Sequence, residues 1–71
     1  MIAEEDTMNR LLRRPEVERA TGLSRSRIYQ LMDDGKFPRP VEIGPRAVAW
    51  VEAEVAEWNN ARIAERDSAA Q

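Results

Sequence analysis

The stretch that decides the fold is residues 15–35, PEVERATGLSRSRIYQLMDDG. It opens with a proline, which suits the first turn of a helix because its missing N–H costs no hydrogen bond there. Gly22 can take the positive φ that ends a helix, and Ser24 is a good N-cap for the next one. We therefore predict a short helix over 15–20 and a second over 25–34. Two helices joined by a short turn containing glycine form the helix-turn-helix pattern.

The second predicted helix has one apolar and one polar face. Its apolar residues recur at spacings of three and four and are Ile28, Leu31 and Met32. If these turn inward, 3.6-residue geometry places on the opposite face Arg25, Ser26, Tyr29, Gln30 and Asp33. Arginine pairs with guanine, glutamine pairs with adenine and serine suits several bases, so this face fits the major groove of DNA. The alternative is an ordinary solvated helix face.

The chain downstream of this pair of helices predicts a hairpin and a third helix. Two prolines make residues 36–40, KFPRP, extended. Residues 41–43 alternate as a half-buried strand does, 44–46 form a turn, and 47–50 form the returning strand. From Glu52 to about Ile63 the helical period returns, with a stripe of Val51, Val55 and Trp58. The expected fold is mainly α with a small β-hairpin, a winged helix-turn-helix of three helices plus a wing.

The ends of the chain predict less structure. Residues 1–8 are interpreted as a flexible acidic segment, 9–63 as the folded domain and 64–71 as a flexible tail. Residues 10–13, RLLR, form either a brief strand or a loop that places two leucines in the core. No signal-peptide pattern and no apolar run long enough for a membrane span is present, so we expect a cytoplasmic protein.

Charge is distributed unevenly along the chain. The net charge is −2, but residues 9–50 carry nine basic and five acidic side chains. Residues 1–8 carry three acids and no base, and residues 51–71 carry five acids and two bases. Because local charge steers a protein toward nucleic acid more than the total does, the basic middle points to a DNA partner.

Further basic residues surround the predicted recognition helix. Arg13 and Arg14 flank the start of the first helix, a position where phosphates are commonly bound. Arg27 lies next to the core side of the second helix and either contacts a phosphate or pairs with an acid on the first helix. The remaining candidates precede the wing or lie at its tip, where arginines reach the DNA backbone or the minor groove, and are Lys36, Arg39 and Arg46.

The composition excludes most catalytic and metal chemistry. The chain has no cysteine and no histidine, which removes disulfides, thiolate sites, the commonest metal ligand and the commonest general base. We therefore expect a non-enzyme without a metal or another cofactor. Trp50 and Trp58 could serve as stacking platforms for single-stranded nucleic acid, but we interpret them as core residues because a domain this small needs their area.

The order of these motifs resembles the AlpA family of small phage and prophage regulators. The resemblance covers about two thirds of the chain and rests on residues 10–17, 21–29, 35–41, 44–50 and 54–58. It implies a winged helix similar to those of MerR-type regulators and phage excisionases. It also implies that residues 24–29 open the recognition helix and that residues 44–46 are the wing tip.

Three functions remain open at this point. The leading hypothesis is a sequence-specific transcriptional regulator of a prophage or mobile-element gene, such as an integrase or excision gene. The second is an excisionase-like architectural protein that bends DNA and contacts an integrase. The third is a protein-interaction adaptor whose acidic last helix meets a basic partner. Duplex DNA is the expected partner in the first two, and binding as a dimer or array is compatible with both.

Overall fold

The computed structural model describes residues 9–69, so the predicted acidic segment 1–8 lies outside the described residues, as do residues 70 and 71. Between positions 9 and 69 the chain forms three helices and three strands. In chain order these are β1 (Leu11–Leu12), α1 (Arg14–Thr21), α2 (Arg25–Asp33), β2 (Val41–Gly44), β3 (Ala47–Val51) and α3 (Glu52–Ala69). This architecture confirms the predicted winged helix-turn-helix.

The turn between α1 and α2 is held by local hydrogen bonds. Gly22 adopts a φ of 77°, and its N–H donates to the carbonyl of Glu18 over 2.7 Å. The hydroxyl of Thr21 donates to the Val17 carbonyl over 2.8 Å. Ser24 then caps α2, because its hydroxyl accepts a hydrogen bond from the N–H of Arg27 at 3.1 Å. Together these bonds fix the direction in which α2 leaves the turn.

We expect Ser24→Ala to lower the free energy of unfolding by about 1 kcal/mol, because the first turn of α2 loses its side-chain acceptor. Chemical denaturation followed by circular dichroism measures the change. Ser26→Ala is the matched control, since Ser26 lies in the same turn and is exposed. Equal effects of the two substitutions would show that the cap contributes nothing.

The three strands form one antiparallel sheet with the order β1-β3-β2. Leu11 pairs with Val51 and Leu12 with Trp50 in the β1–β3 ladder. Residues 10–13 therefore contribute a strand rather than a loop, and only Leu12 is buried, because Leu11 lies on the other face and is 40% exposed. The strand alternative is confirmed, and the alternative of a loop that places both leucines in the core is wrong.

The core lies between the sheet and the helices and centres on Trp50, which is fully buried. Its indole N–H donates to the carbonyl of Pro38 over 3.0 Å. The other apolar side chains of this cluster are Leu12, Val17, Ile28, Leu31, Met32, Phe37 and Val55. Trp58 is half-buried against the cluster, so both tryptophans pack as the sequence predicts.

Helix α3 packs back on the helix-turn-helix unit. The indole N–H of Trp58 donates to the Lys36 carbonyl at 2.8 Å, and the Asn59 amide donates to the Ala20 carbonyl at 3.1 Å. The helix begins at Glu52 because Val51 belongs to β3, and it continues to Ala69. The predicted helix end near Ile63 is therefore wrong, whereas the flexibility of residues 64–71 stays a prediction.

Among residues 9–69, no helix is both long and apolar enough to cross a membrane.

Candidate nucleic-acid interface

Helix α2 presents its polar face to solvent, as its apolar spacing predicts. Ile28, Leu31 and Met32 are buried on the inner side. Arg25, Ser26 and Gln30 are exposed on the outer side. The side chains available for a ligand therefore lie in the N-terminal two thirds of the helix, and its C-terminal end carries the acid Asp33.

Tyr29 joins this face to the core. Its ring is half-buried and meets the Trp50 ring edge-on, with centroids 6.4 Å apart. The guanidinium of Arg25 lies 5.6 Å from the centroid of the Tyr29 ring, a cation–π distance. Because the ring is anchored by the core, this contact restricts the directions in which Arg25 can point.

A basic cleft lies on one flank of α2, between the start of α1 and the hairpin of β2 and β3. This wing cleft has a lining of Arg13, Arg14, Pro15, Tyr29, Arg46 and Val48. The Arg13 guanidinium donates from Nε to the Val48 carbonyl over 3.1 Å, which ties the start of α1 to the wing. Residues from three separate elements thus meet around one concave surface that contains no acid in its lining.

The wing tip is a two-residue turn that places an arginine in an uncommon backbone conformation. Gly44 pairs with Ala47 across the turn, which leaves Pro45 and Arg46 at its centre. Proline fixes a negative φ at the first central position, and Arg46 takes a φ of 59° at the second. This combination matches a type II turn, whose second central position usually holds glycine or asparagine. The turn therefore holds an arginine at a position where a glycine would be less strained.

A second concave surface lies on the opposite flank of α2. This Trp58 groove is lined by residues that include Arg27, Lys36 and Trp58. Arg27 donates from Nη1 to the Oε1 atom of Gln30 over 2.7 Å. The alternative in which Arg27 pairs with an acid on the first helix is wrong, since its partner in the structure is this amide.

The remaining predicted site residues lie outside these contacts or are already paired. Arg39 is exposed in the connection before the wing. Arg14 lines the wing cleft, but its guanidinium pairs with the carboxylate of Glu18 one turn later. Arg19, which the sequence analysis did not select, is exposed near the start of α2 and lines a shallow hollow with Ser24. Its position at the end of α1, beside the turn, is the signal that could have found it.

Ion pairing separates the basic residues into two groups. Arg10 pairs with Glu16 and Glu52, Arg14 with Glu18, Arg62 with Glu65, and Arg66 with Asp67. In contrast, no carboxylate within residues 9–69 pairs with a second group, which consists of Arg13, Arg19, Arg25, Arg27, Lys36, Arg39 and Arg46. The free cations therefore come from the helix-turn-helix and the chain around the wing, whereas both arginines of α3 pair with carboxylates.

Within the described part of the chain, no three carboxylates lie close enough together to hold a metal ion. The arrangement of free guanidinium groups, a tyrosine and neutral polar side chains is suited to binding a polyanion.

Comparison with known proteins agrees with this geometry. Residues 10–63 match the family described as prophage CP4-57 regulatory protein (AlpA). The chain is 50% identical to an uncharacterized protein, ORF88, of Enterobacteria phage P4, over 84% of this chain and 68% of the phage protein. It is 37% identical to the DNA-binding transcriptional activator AlpA of Escherichia coli K12, over 75% of this chain and 84% of that protein. Since the family match spans most of the chain and includes both helices and the wing, the protein belongs to the AlpA family of prophage regulatory proteins.

Proposed function

We propose that this protein binds double-stranded DNA at specific sequences and regulates transcription of a prophage or mobile-element gene, such as one for integration or excision. In this proposal α2 enters the major groove and the wing contacts the flanking backbone. The name of the Escherichia coli relative, a DNA-binding transcriptional activator, supports the same assignment.

The observation that carries the proposal is the distribution of polar and charged side chains around the axis of α2. In the first two turns of α2, neutral polar side chains, Ser26 and Gln30, occupy the middle of the exposed face, and cations without a carboxylate partner lie on both flanks. A helix in the major groove faces base edges in front and a phosphate backbone on each side. Neutral side chains that can form hydrogen bonds with bases, placed between two cationic flanks, fit that environment. A face that binds an acidic peptide would need only the cations.

The charge along α2 also favours one direction of approach. Arg25 opens the helix, and Asp33 and Asp34 close it. Phosphates would attract the first end and repel the second, and the positive end of the helix dipole adds to this preference. The N-terminal end of α2 would therefore point into the groove, as in other helix-turn-helix proteins.

Selection of binding sites from a random duplex library tests this proposal. A specific reader should enrich one motif of several base pairs at moderate salt. Strong DNA bending on that motif would favour the architectural role instead of a regulator alone. Failure to enrich or bind any duplex, even at low salt, would overturn the proposal in favour of the adaptor function.

Arg46→Gly should weaken binding to the selected site about tenfold while leaving the fold intact. The substitution removes one phosphate contact and relieves the strain of an arginine at positive φ. The free energy of unfolding should stay within about 1 kcal/mol of the wild-type value, because the greater freedom of glycine in the unfolded chain offsets part of the relief. Fluorescence anisotropy and denaturation measure the two quantities. Unchanged affinity would exclude the wing tip from the interface.

Binding should also depend steeply on salt. Each neutralised phosphate contributes about −0.9 to the slope of log affinity against log salt concentration. Replacing Arg13 or Arg46 should make this slope shallower by about one unit, whereas Arg66→Ala on α3 should leave it unchanged. A slope that is identical in all three variants would show that neither residue contacts a phosphate.

A further inference from the structure

The hydrogen bond between Arg27 and Gln30 has a consequence for base recognition. A guanidinium carries only donors, so the atom of the Gln30 amide that faces Arg27 must be its oxygen. The distance of 2.7 Å is that of a charge-assisted hydrogen bond. The free amide nitrogen of Gln30 is therefore the group left to face outward, and it has no partner within residues 9–69.

We infer that Arg27 sets the base preference of Gln30, so that this position of the DNA site is read as guanine instead of adenine. The inference rests on the proposed DNA-binding function and deepens it. A glutamine that reads adenine must accept from the N6 amino group while donating to N7. The Gln30 oxygen keeps a second lone pair, but with the Arg27 guanidinium already bonded to it, adenine's amino group would meet a weakened acceptor with another donor beside it.

Guanine presents the opposite pattern. Its O6 and N7 atoms are both acceptors in the major groove. The coupled side chains offer two donors side by side, an amide N–H of Gln30 and a guanidinium N–H of Arg27. Both side chains are exposed on α2, one in the middle of the outer face and one on its flank, so the protein shields neither donor from a ligand. Arg27 would thus contribute to specificity in two ways, by orienting the Gln30 amide and by offering a donor of its own.

Site selection with two variants tests this inference. Wild type should prefer guanine to adenine roughly tenfold at one position, and Gln30→Ala should weaken the preference at that position alone. Arg27→Ala should shift the same position toward adenine, because the Gln30 oxygen then accepts from adenine's amino group with no guanidinium beside it. Lys36→Ala removes a nearby positive charge without touching the amide, and it should lower affinity while preserving the base preference.

The outcomes separate this inference from the proposed function. If wild type selects a motif but Arg27→Ala leaves the base at the Gln30-dependent position unchanged, the coupling is wrong and DNA recognition stands. A wild-type preference for adenine at that position, or a motif insensitive to Gln30→Ala, also overturns the coupling. If wild type selects no motif, the proposed function itself fails. Circular dichroism of each variant checks that the exposed substitutions leave the helices intact.

Discussion

Trp50→Ala should abolish cooperative folding near room temperature. The side chain is fully buried, its indole N–H is bonded to the Pro38 carbonyl, and its ring is packed against Tyr29. Truncating a large buried aromatic residue costs about 3–5 kcal/mol. A domain this small lies near the lower end of the usual stability range of about 5–15 kcal/mol, so little stability would remain.

Thermal unfolding followed by far-ultraviolet circular dichroism measures this effect. Trp58→Ala is the control, because Trp58 is only half-buried and should lose less stability. Trp50→Phe should fall between wild type and Trp50→Ala, since it keeps a ring but loses the hydrogen bond to Pro38. A Trp50→Ala variant whose free energy of unfolding stays within about 1 kcal/mol of the wild-type value would contradict the central place of this residue in the core.

Arg25→Ala should weaken binding to the preferred DNA site by about 1–3 kcal/mol, and less on random DNA. The guanidinium lies against the anchored ring of Tyr29 in the first turn of α2, so it is held in place before DNA arrives. A prepositioned arginine loses less side-chain entropy when it pairs with a guanine. Competition binding with the selected duplex and a scrambled duplex measures both losses.

The controls for Arg25 separate base reading from general charge. Arg66→Ala removes the same charge from α3, where the arginine is paired with Asp67, and should change neither affinity. Tyr29→Phe keeps the ring beneath Arg25 but removes the hydroxyl, so it should retain most of the base preference. Equal losses on the selected and scrambled duplexes would make Arg25 a phosphate contact and assign base reading to other residues of α2.

Local sequence signals predicted most of the helix-turn-helix unit because its determinants are local. The apolar spacing of Ile28, Leu31 and Met32 defines the buried side of α2. Gly22 ends α1, and Ser24 caps the start of α2. Each of these acts through neighbours within one or two helical turns. The same is true of the hairpin, whose turn is set by Pro45.

Features that depend on residues far apart in the chain were harder to predict from the sequence. Strand β1 exists because Leu11 and Leu12 pair with residues some 40 positions later, and no short window contains both partners. The predicted end of α3 depended on the apolar stripe, which stops near Ile63. The helix continues because alanine and charged residues favour helix without burial, and Arg62 pairs with Glu65 along its surface.

The candidate site combines predicted residues with contacts that the sequence could not specify. Helical geometry predicts the exposed face of α2, and the predicted turn over residues 44–46 identifies Arg46 as a wing-tip residue. In contrast, the meeting of Arg13, Tyr29 and Arg46 in the wing cleft depends on how three elements pack. The pairing of Arg27 with Gln30 depends on side-chain rotamers, which residue spacing alone does not determine.

Mapping amide chemical shifts during titration of the nitrogen-15-labelled protein with duplex DNA shows which residues form the DNA interface. We predict that the largest changes fall on residues 13–14, 25–30 and 44–47, which belong to the start of α1, to helix α2 and to the wing tip. The exposed acids of α3, Glu54 and Glu57, should change little. Largest changes on α3, or no change anywhere at low salt, would contradict the assignment of this face as the DNA interface.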